Sequence, residues 1–549
     1  MKPGRTPNRA AAGSARIGLR RGSLGVWIGS SVVALSALSV VAVLYHARHS
    51  ESDMTKRSGW IHKLAVLAGL PVAGAHAASQ VPPTQIGINL SSPAYFRQAR
   101  TFANLVLGAS AWTSQVPGHE RLGPDDIDRD GNLKRMPGGQ SVFKMLTQPN
   151  AGSGDATIRC TYQGRGDIRP AMNVSDVRIE NGGFTFRWRD NGYKASQIQL
   201  RLKSLDPADP IRNLDCRETS MPRDARFDPQ FIAFVRQFRA VRFMDWQNTN
   251  ANQPVTWAER HTRASQDIIG RDGVAVEDMV DLAAQAGVDP WFNMPWNADD
   301  DYIRRFAQYV HDHLPRDRKV YVEAGNEVWN ARFLMSKQAL KEGQEEGLGP
   351  NPEAGRLYRY AEKTVQVMDI WAKVFADRPS QLVRVANCQN GPNRSNLVLG
   401  YKDTAKHIDA LATAPYFAYD FRKNPPADSD AAYARINDAI DATLNTALKA
   451  KGVAEKYGKR YIAYEAGQHI ILNDVALAQT IQRDPRMYDA YKRYLNIWRQ
   501  QIGDTIMMYD SVQPINKTGS WGLLEYLGQP VNEAPKMRAV SDALRETRR

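Results

Sequence analysis

Beyond residue 80, short apolar runs alternate with longer segments whose apolar positions recur every three or four residues. A run of four or five mostly apolar residues between turn signals reads as a buried strand, and the three-four spacing reads as a helix with one face covered. The strand-like runs fall at residues 86–90, 240–244, 290–294, 320–323, 382–386, 408–412, 460–464 and 505–509, eight in all. Helical patterns lie between them at 228–239, 276–285, 300–313, 357–376, 428–457 and 484–501, and 533–548 closes the chain. Strand and helix in alternation predict an α/β fold with a parallel sheet, and eight repeats predict a (β/α)8 TIM barrel over residues 84–549.

One interval breaks the repeat. More than 100 residues separate the first strand from helix 228–239, and within them 177–180, 184–188 and 197–201 alternate polar and apolar positions as half-exposed strands do. Residues 114–222 therefore read as a small β-rich domain inserted in the first βα loop. Such a loop leaves the C-terminal face of the barrel, beside any active site.

The first 77 residues follow a different pattern. Residues 26–45 are mostly apolar after Arg16, Arg20 and Arg21, long enough to tether the chain to an inner membrane. A second segment opens at Met54 with Lys56 and Arg57, continues through the apolar run 64–74, and ends in Ala75-His76-Ala77, the form of a secretory signal peptide at 54–77. Residues 1–53 are then either a membrane anchor or a start assigned too early. Both readings place the remainder outside the cytoplasm, periplasmic or extracellular.

Export changes how charge and cysteine are read. Residues 1–77 hold ten Lys or Arg against two Asp or Glu, so +8 of the +14 net charge falls there and +6 remains for the exported part. That excess, without a basic run interleaved with aromatics, gives no reason to expect nucleic acid as a partner. Of three cysteines, Cys160 and Cys216 share the strand-like insert and are the expected disulfide, while Cys388 lies in an apolar strand as a buried thiol. None has metal-ligand spacing. Residues 126–131 imitate the start of a calcium loop, but its twelfth position is Pro137 instead of a bidentate glutamate, so a polar turn is expected. No metal or cofactor is called for.

Chemistry is concentrated at the ends of predicted strands. The fourth ends in Glu323-Ala324-Gly325-Asn326-Glu327-Val328-Trp329-Asn330, a carboxylate beside an aromatic surface of the kind sugar rings stack on. The seventh ends in Tyr464-Glu465-Ala466-Gly467-Gln468-His469. In a barrel both ends open on one mouth, so Glu327 and Glu465 form a candidate pair. Trp246, Trp296 and Trp329 follow strands two, three and four, where they would line flanking subsites.

Through Asn326-Glu327 and Glu465 the chain resembles the large clan of retaining glycoside hydrolases built on this barrel, over about residues 84–115 and 225–530. Arg242-Phe243-Met244-Asp245-Trp246 and the Asn326 to Asn330 motif also resemble exported bacterial proteins labelled cellulase-like or cellulose-binding. The first resemblance implies that Glu327 is the acid/base and Glu465 the nucleophile that attacks the anomeric carbon. It further implies that Asn326 bonds the sugar 2-hydroxyl, Arg242 orients Glu465, Tyr416 donates to it, and Trp521 lies under the reacting ring. Several clan members carry a histidine where this chain has Ala414, two residues before Tyr416. The expected activity is cleavage of β-glycosidic bonds in a poly- or oligosaccharide by double displacement. Transglycosylation would use the same carboxylates, and a non-catalytic polysaccharide-binding protein is the reading from another class.

Overall fold

The structure, a computed structural model, describes residues 81–547 apart from 115–121, 138–140, 193–196, 252–254 and 271. The anchor-or-start segment 1–53, the apolar span 26–45 and the signal segment 54–77 lie outside the described residues. Among the described residues no helix is long and apolar enough to cross a membrane.

Eight parallel strands close on themselves: β1 Gln85–Asn89, β2 Ala240–Arg242, β3 Asp289–Met294, β4 Val320–Ala324, β5 Leu382–Asn387, β6 Ala410–Thr413, β7 Arg460–Gln468 and β8 Thr505–Met508. Closure comes from β1 pairing on both sides, Ile88 with Val241 of β2 and Gln85 with Thr505 of β8. Around them run α1 Pro229–Val235, α2 Val276–Ala286, α3 Asp300–His313, α4 Leu334–Glu345, α5 Pro352–Val374, α6 Pro392–Leu399, α7 Ser429–Lys456, α8 Val475–Arg483, α9 Arg486–Ile497 and α10 Pro535–Thr547. This is the (β/α)8 barrel that the strand count predicts.

Local chemistry explains the boundaries. The side chain of Asp299 accepts from Tyr302 N at the start of α3, Asp300 and Asp301 follow in the first turn, and Tyr302, Ile303, Phe306, Ala307 and Val310 form the buried stripe. Each such apolar side chain taken from water contributes about 1.5–3 kcal/mol before entropy is counted. Between β4 and β5 the sequence pattern predicts one helix where the structure has two. Asn351 caps α5 and Pro352 opens it, so α4 has already ended.

The lumen is packed, not hollow. Ala240, Trp291, Tyr321, Val383, Val385, Ala410, Ala412, Ile462, Tyr464 and Met507 fill it as one cluster, with the Trp291 and Tyr321 rings stacked 5.1 Å apart. The two-residue period then puts Arg242, Asn293 and Glu323 on the same inward side, one step nearer the C-terminal mouth.

Between β1 and α1, two four-stranded antiparallel sheets enclose a separate core that includes Ile158, Phe184, Phe186, Trp188 and Leu200. Cys160 and Cys216 face each other across adjacent strands Ala156–Gln163 and Arg212–Glu218 and are joined by a disulfide; Cys388 is a buried free thiol. Arg129 of this region donates to Ala258 O and Arg260 O, and Gln266 N donates to Asp130 O, which fixes the insert to the β2–α2 connection. In the calcium-like segment, the Asp128 carboxylate accepts from Asp130 N and Asn132 N and so closes a polar turn.

Candidate active site

Glu327 sits in the turn that leaves β4. Gly325 and Glu327 both have positive φ, 63° and 45°, and a non-glycine residue there costs roughly 1–3 kcal/mol. The turn is held by Gly325 N donating to Met294 O at 2.8 Å and Asn330 N donating to Glu327 O at 2.7 Å. Its geometry aims the Glu327 carboxyl at two neutral donors, Tyr464 Oη at 3.1 Å and Asn330 Nδ2 at 2.8 Å.

Glu465 reaches the same place through a bulge. Ala463 pairs with Ile506 and Ala466 with Met508, so three steps along β7 match two along β8 and one residue is extra. A bulge interrupts the in-out alternation, and here the consecutive residues Tyr464 and Glu465 both serve the mouth. Glu465 accepts from Arg242 Nη1 at 2.8 Å on one oxygen and from Tyr416 Oη at 2.9 Å on the other. Tyr416 is delivered by the short strand Tyr416–Phe417, which pairs with the far end of β7.

Arg242 is fully buried and uses its donors on both sides. Beyond Glu465 it donates to Glu323 through Nε at 3.2 Å and through Nη2, to Asn89 Oδ1 at 2.9 Å and to Asn326 Oδ1 at 2.8 Å. Its guanidinium lies 5.0 Å from the Tyr464 ring centre and 5.8 Å from that of Trp291. Its ion-pair partners are Glu323 and Glu465; Asp245, the carboxylate nearest in sequence, is pushed up by burial, with Arg97 and Arg242 opposing at longer range, and bonds Tyr509. Asn326 turns its amide nitrogen to Asn250 Oδ1 at 3.0 Å.

Burial pushes the Glu327 carboxyl above its ordinary range, against the pull of Asn330, Tyr464 and Arg242 and with reinforcement from the charge of Glu323. Burial also pushes Glu465 up, to about 8, with Arg242 opposing and Glu327 reinforcing. Two carboxyls that repel in a buried site resist double ionisation and so hold one proton between them. Glu465 faces a cation while Glu327 faces a phenol and an amide. The charge therefore rests on Glu465 and the proton on Glu327.

An aromatic wall rises beside Glu465. The His469 ring lies 5.2 Å from Tyr416, 5.4 Å from Trp521 and 4.5 Å from Tyr419, and Tyr509 lies 5.9 Å from Trp521. Trp521 packs on Gly519, where a Cβ would come within 2.0 Å of the indole. Ser520 O, just before it, is anchored by Gln468 Nε2 at 2.7 Å and Lys536 Nζ at 2.6 Å.

The three flanking tryptophans separate. Trp329 is half-buried and donates to Tyr464 Oη at 3.3 Å, so it belongs to the cluster. Trp246 is 1% exposed, packs against Phe102, Phe231 and Phe243 and donates to Ser91 O. Trp296 is 3% exposed and donates to Glu342 at 3.3 Å. The subsite expectation for Trp246 and Trp296 is thus corrected: each side chain is consumed by packing and offers no face to a ligand.

Glu323, Asn89, Asn293 and Tyr464 complete the cluster and are absent from the sequence-level candidates. A usable signal existed for Glu323 and Arg242. Both stand at inward positions of apolar strands, where a buried charge requires a partner of opposite sign.

No family model matches the chain, and no curated protein matches it. Solved structures do. An arabinofuranosidase from Xanthomonas axonopodis pv. citri is 14% identical over 53% of this chain and 62% of its own, with TM-score 0.34. A broad-specificity endoglucanase from Clostridium longisporum is 12% identical over 58% and 85%, TM-score 0.33. A family 1 β-glucosidase from Thermotoga maritima gives the same 12%, 58% and 85%, TM-score 0.33. The chain spans less than two thirds of two of the arabinofuranosidases it matches, 62% of one and 57% of the other. The barrel itself is established by its strand order and closure.

Proposed function

We propose that the protein is a retaining glycoside hydrolase that cleaves β-glycosidic bonds of a poly- or oligosaccharide by double displacement. The observation that carries this reading is the unequal dressing of two carboxyls at one barrel mouth: Glu465 bonded to Arg242 and Tyr416, Glu327 bonded to Tyr464 and Asn330. Double displacement needs this asymmetry, because one carboxyl must attack while the other delivers a proton.

In the first step a Glu465 oxygen bonds to the anomeric carbon as the glycosidic C–O bond breaks, and the Glu327 proton passes to the departing oxygen. Glu327, now a carboxylate, takes a proton from water. The hydroxide so generated attacks the anomeric carbon and releases Glu465. Tyr416 and Arg242 hold the Glu465 carboxylate along the line of attack, Trp521 offers an apolar platform to the reacting sugar, and Trp329 offers one to a flanking sugar. Export to an oxidising compartment is part of the proposal. It is supported by the Cys160–Cys216 disulfide and by the signal-like segment at 54–77.

The test is a panel of polysaccharides and aryl β-glycosides offered to the wild type, Glu327→Gln and Glu465→Gln. Cleavage with retained anomeric configuration, reduced at least about a hundredfold in each variant, is expected. Cleavage that survives both substitutions overturns the assignment.

A further inference from the structure

We propose that Glu323 is a positioning residue for this reaction: its buried carboxylate holds Arg242 against Glu465 and stands as a second negative charge behind the carboxyl pair, keeping one proton on it. The roles of Glu327 and Glu465 rest on the glycosidase reading above; the charge arrangement does not.

The geometry is that of a divided ion. One oxygen of Glu323 takes Arg242 Nε, Arg242 Nη2 and Asn293 Nδ2, while its other oxygen has no hydrogen-bond partner. Arg242 thus spreads a single positive charge over two carboxylates, both within the lumen's low dielectric. Were Glu323 absent, the whole charge would fall on Glu465 and make it a more stable, less basic anion. Being fully buried, Glu323 itself is moved up to about 6, with Arg242 opposing, so it carries its charge at neutral pH. It stands on β4, four residues before Glu327 in the turn that follows, and its charge opposes ionisation of Glu327.

The groups that face this pair come from five elements. They are Arg242 of β2, Glu323 of β4, Tyr416 from the segment after β6, Tyr464 of β7, and Tyr509 after β8. Arg242 is the one cation among them and Glu323 the one fixed anion. Removing that anion lowers the proton affinity of both Glu327 and Glu465, by on the order of one pH unit for a charge at this range.

The experiment is carbon-13 NMR of the full chain labelled at glutamate Cδ, titrated from pH 4 to 10, with Glu327→Gln and Glu465→Gln to assign signals. In Glu323→Gln the midpoints of the pair are expected to fall by about one pH unit, and Glu323→Asp, which keeps the charge, restores most of the wild-type value. Unchanged midpoints in folded Glu323→Gln overturn the proposal. Should that variant not fold, the wild-type Glu323 signal decides: ionised where the pair titrates supports the role, protonated throughout overturns it. The titration needs no turnover, so the two claims separate. Shifted midpoints in a protein that cleaves no glycan remove the glycosidase reading alone, and cleavage with unshifted midpoints removes the role of Glu323 alone.

Discussion

The hydroxyl of Tyr464 donates to Glu327 at 3.1 Å although the next residue in the chain is Glu465, the other carboxyl of the pair. One β-bulge lets neighbours on a single strand serve both halves of the site. Tyr464→Phe deletes the donor and leaves the ring in the lumen. A hydrogen bond to a charged group contributes about 1.5–3 kcal/mol, so kcat/KM is expected to fall roughly ten- to a hundredfold. The hydroxyl stabilises the ionised form of Glu327, so its loss raises the proton affinity of Glu327. The alkaline limb of the pH–rate profile should then move to higher pH. A limb that moves down would contradict the assigned donor.

Trp246 and Trp329 look alike in sequence, each a tryptophan after a strand end, yet they predict opposite phenotypes. Trp246→Ala empties a fully packed site among Phe102, Phe231 and Phe243, a loss of about 3–5 kcal/mol. Thermal melting should register it as a large drop. Trp329→Ala removes a half-buried ring against Tyr464 and should raise KM for oligosaccharides with a much smaller change in melting temperature. Equal effects on both readouts from both variants would mean that burial does not separate packing from binding here.

The barrel was legible because its evidence is distributed. Eight apolar strand runs and the helical periods between them each carry a weak signal, and the closure of β1 on β8 follows from their number. The carboxyl pair was legible for a similar reason, since a strand end is set by the pattern. What the pattern hides is the partner of each charge. The resemblance points Arg242 to Glu465, but nothing in the sequence points it to Glu323, because that link crosses from β2 to β4 and depends on the register Arg242–Trp291 and Asn293–Glu323. Trp246 and Trp296 misled because a position after a strand does not say whether the ring turns inward to packing or outward to the mouth. The service of Tyr464 to Glu327 depends on a single extra residue in β7, which no periodicity announces.

The Cys160–Cys216 disulfide closes a sequence separation of 56 across adjacent strands of the insert. Chain-entropy reasoning gives about 4 kcal/mol for a loop of that length. The core of the insert is separate from that of the barrel, so Cys160→Ala with Cys216→Ala is expected to melt the insert first. Calorimetry should resolve a low-temperature transition in the variant, and proteolysis should cut between residues 114 and 222 before the barrel. A single unchanged transition would show that the bridge contributes nothing to the insert.

Burial also sets how stability varies with pH. Glu323 and Asp510 are pushed up to about 6 and Glu465 to about 8, while an unperturbed glutamate titrates at 4.5 and an aspartate at 3.8. Between the ordinary and the raised values the folded state binds more protons than the unfolded one, so unfolding free energy falls as pH rises. Each pH unit in that window costs about 1.4 kcal/mol for one fully shifted group. Carboxylates held down by arginine, such as Asp484 beside Arg486, change their contribution below the ordinary aspartate value and leave this window untouched. Glu465→Gln removes the repulsion within the pair that keeps a proton on it, and with it the widest window. Its melting temperature relative to the wild type should therefore climb steadily from pH 5 to pH 8, with the variant gaining most at the alkaline end, while the glycan cleavage proposed for the wild type is absent from the variant at every pH. Parallel stability curves for the two proteins would mean that the folded pair holds no proton beyond those of the open chain, and the electrostatic account of the pair would fail with it.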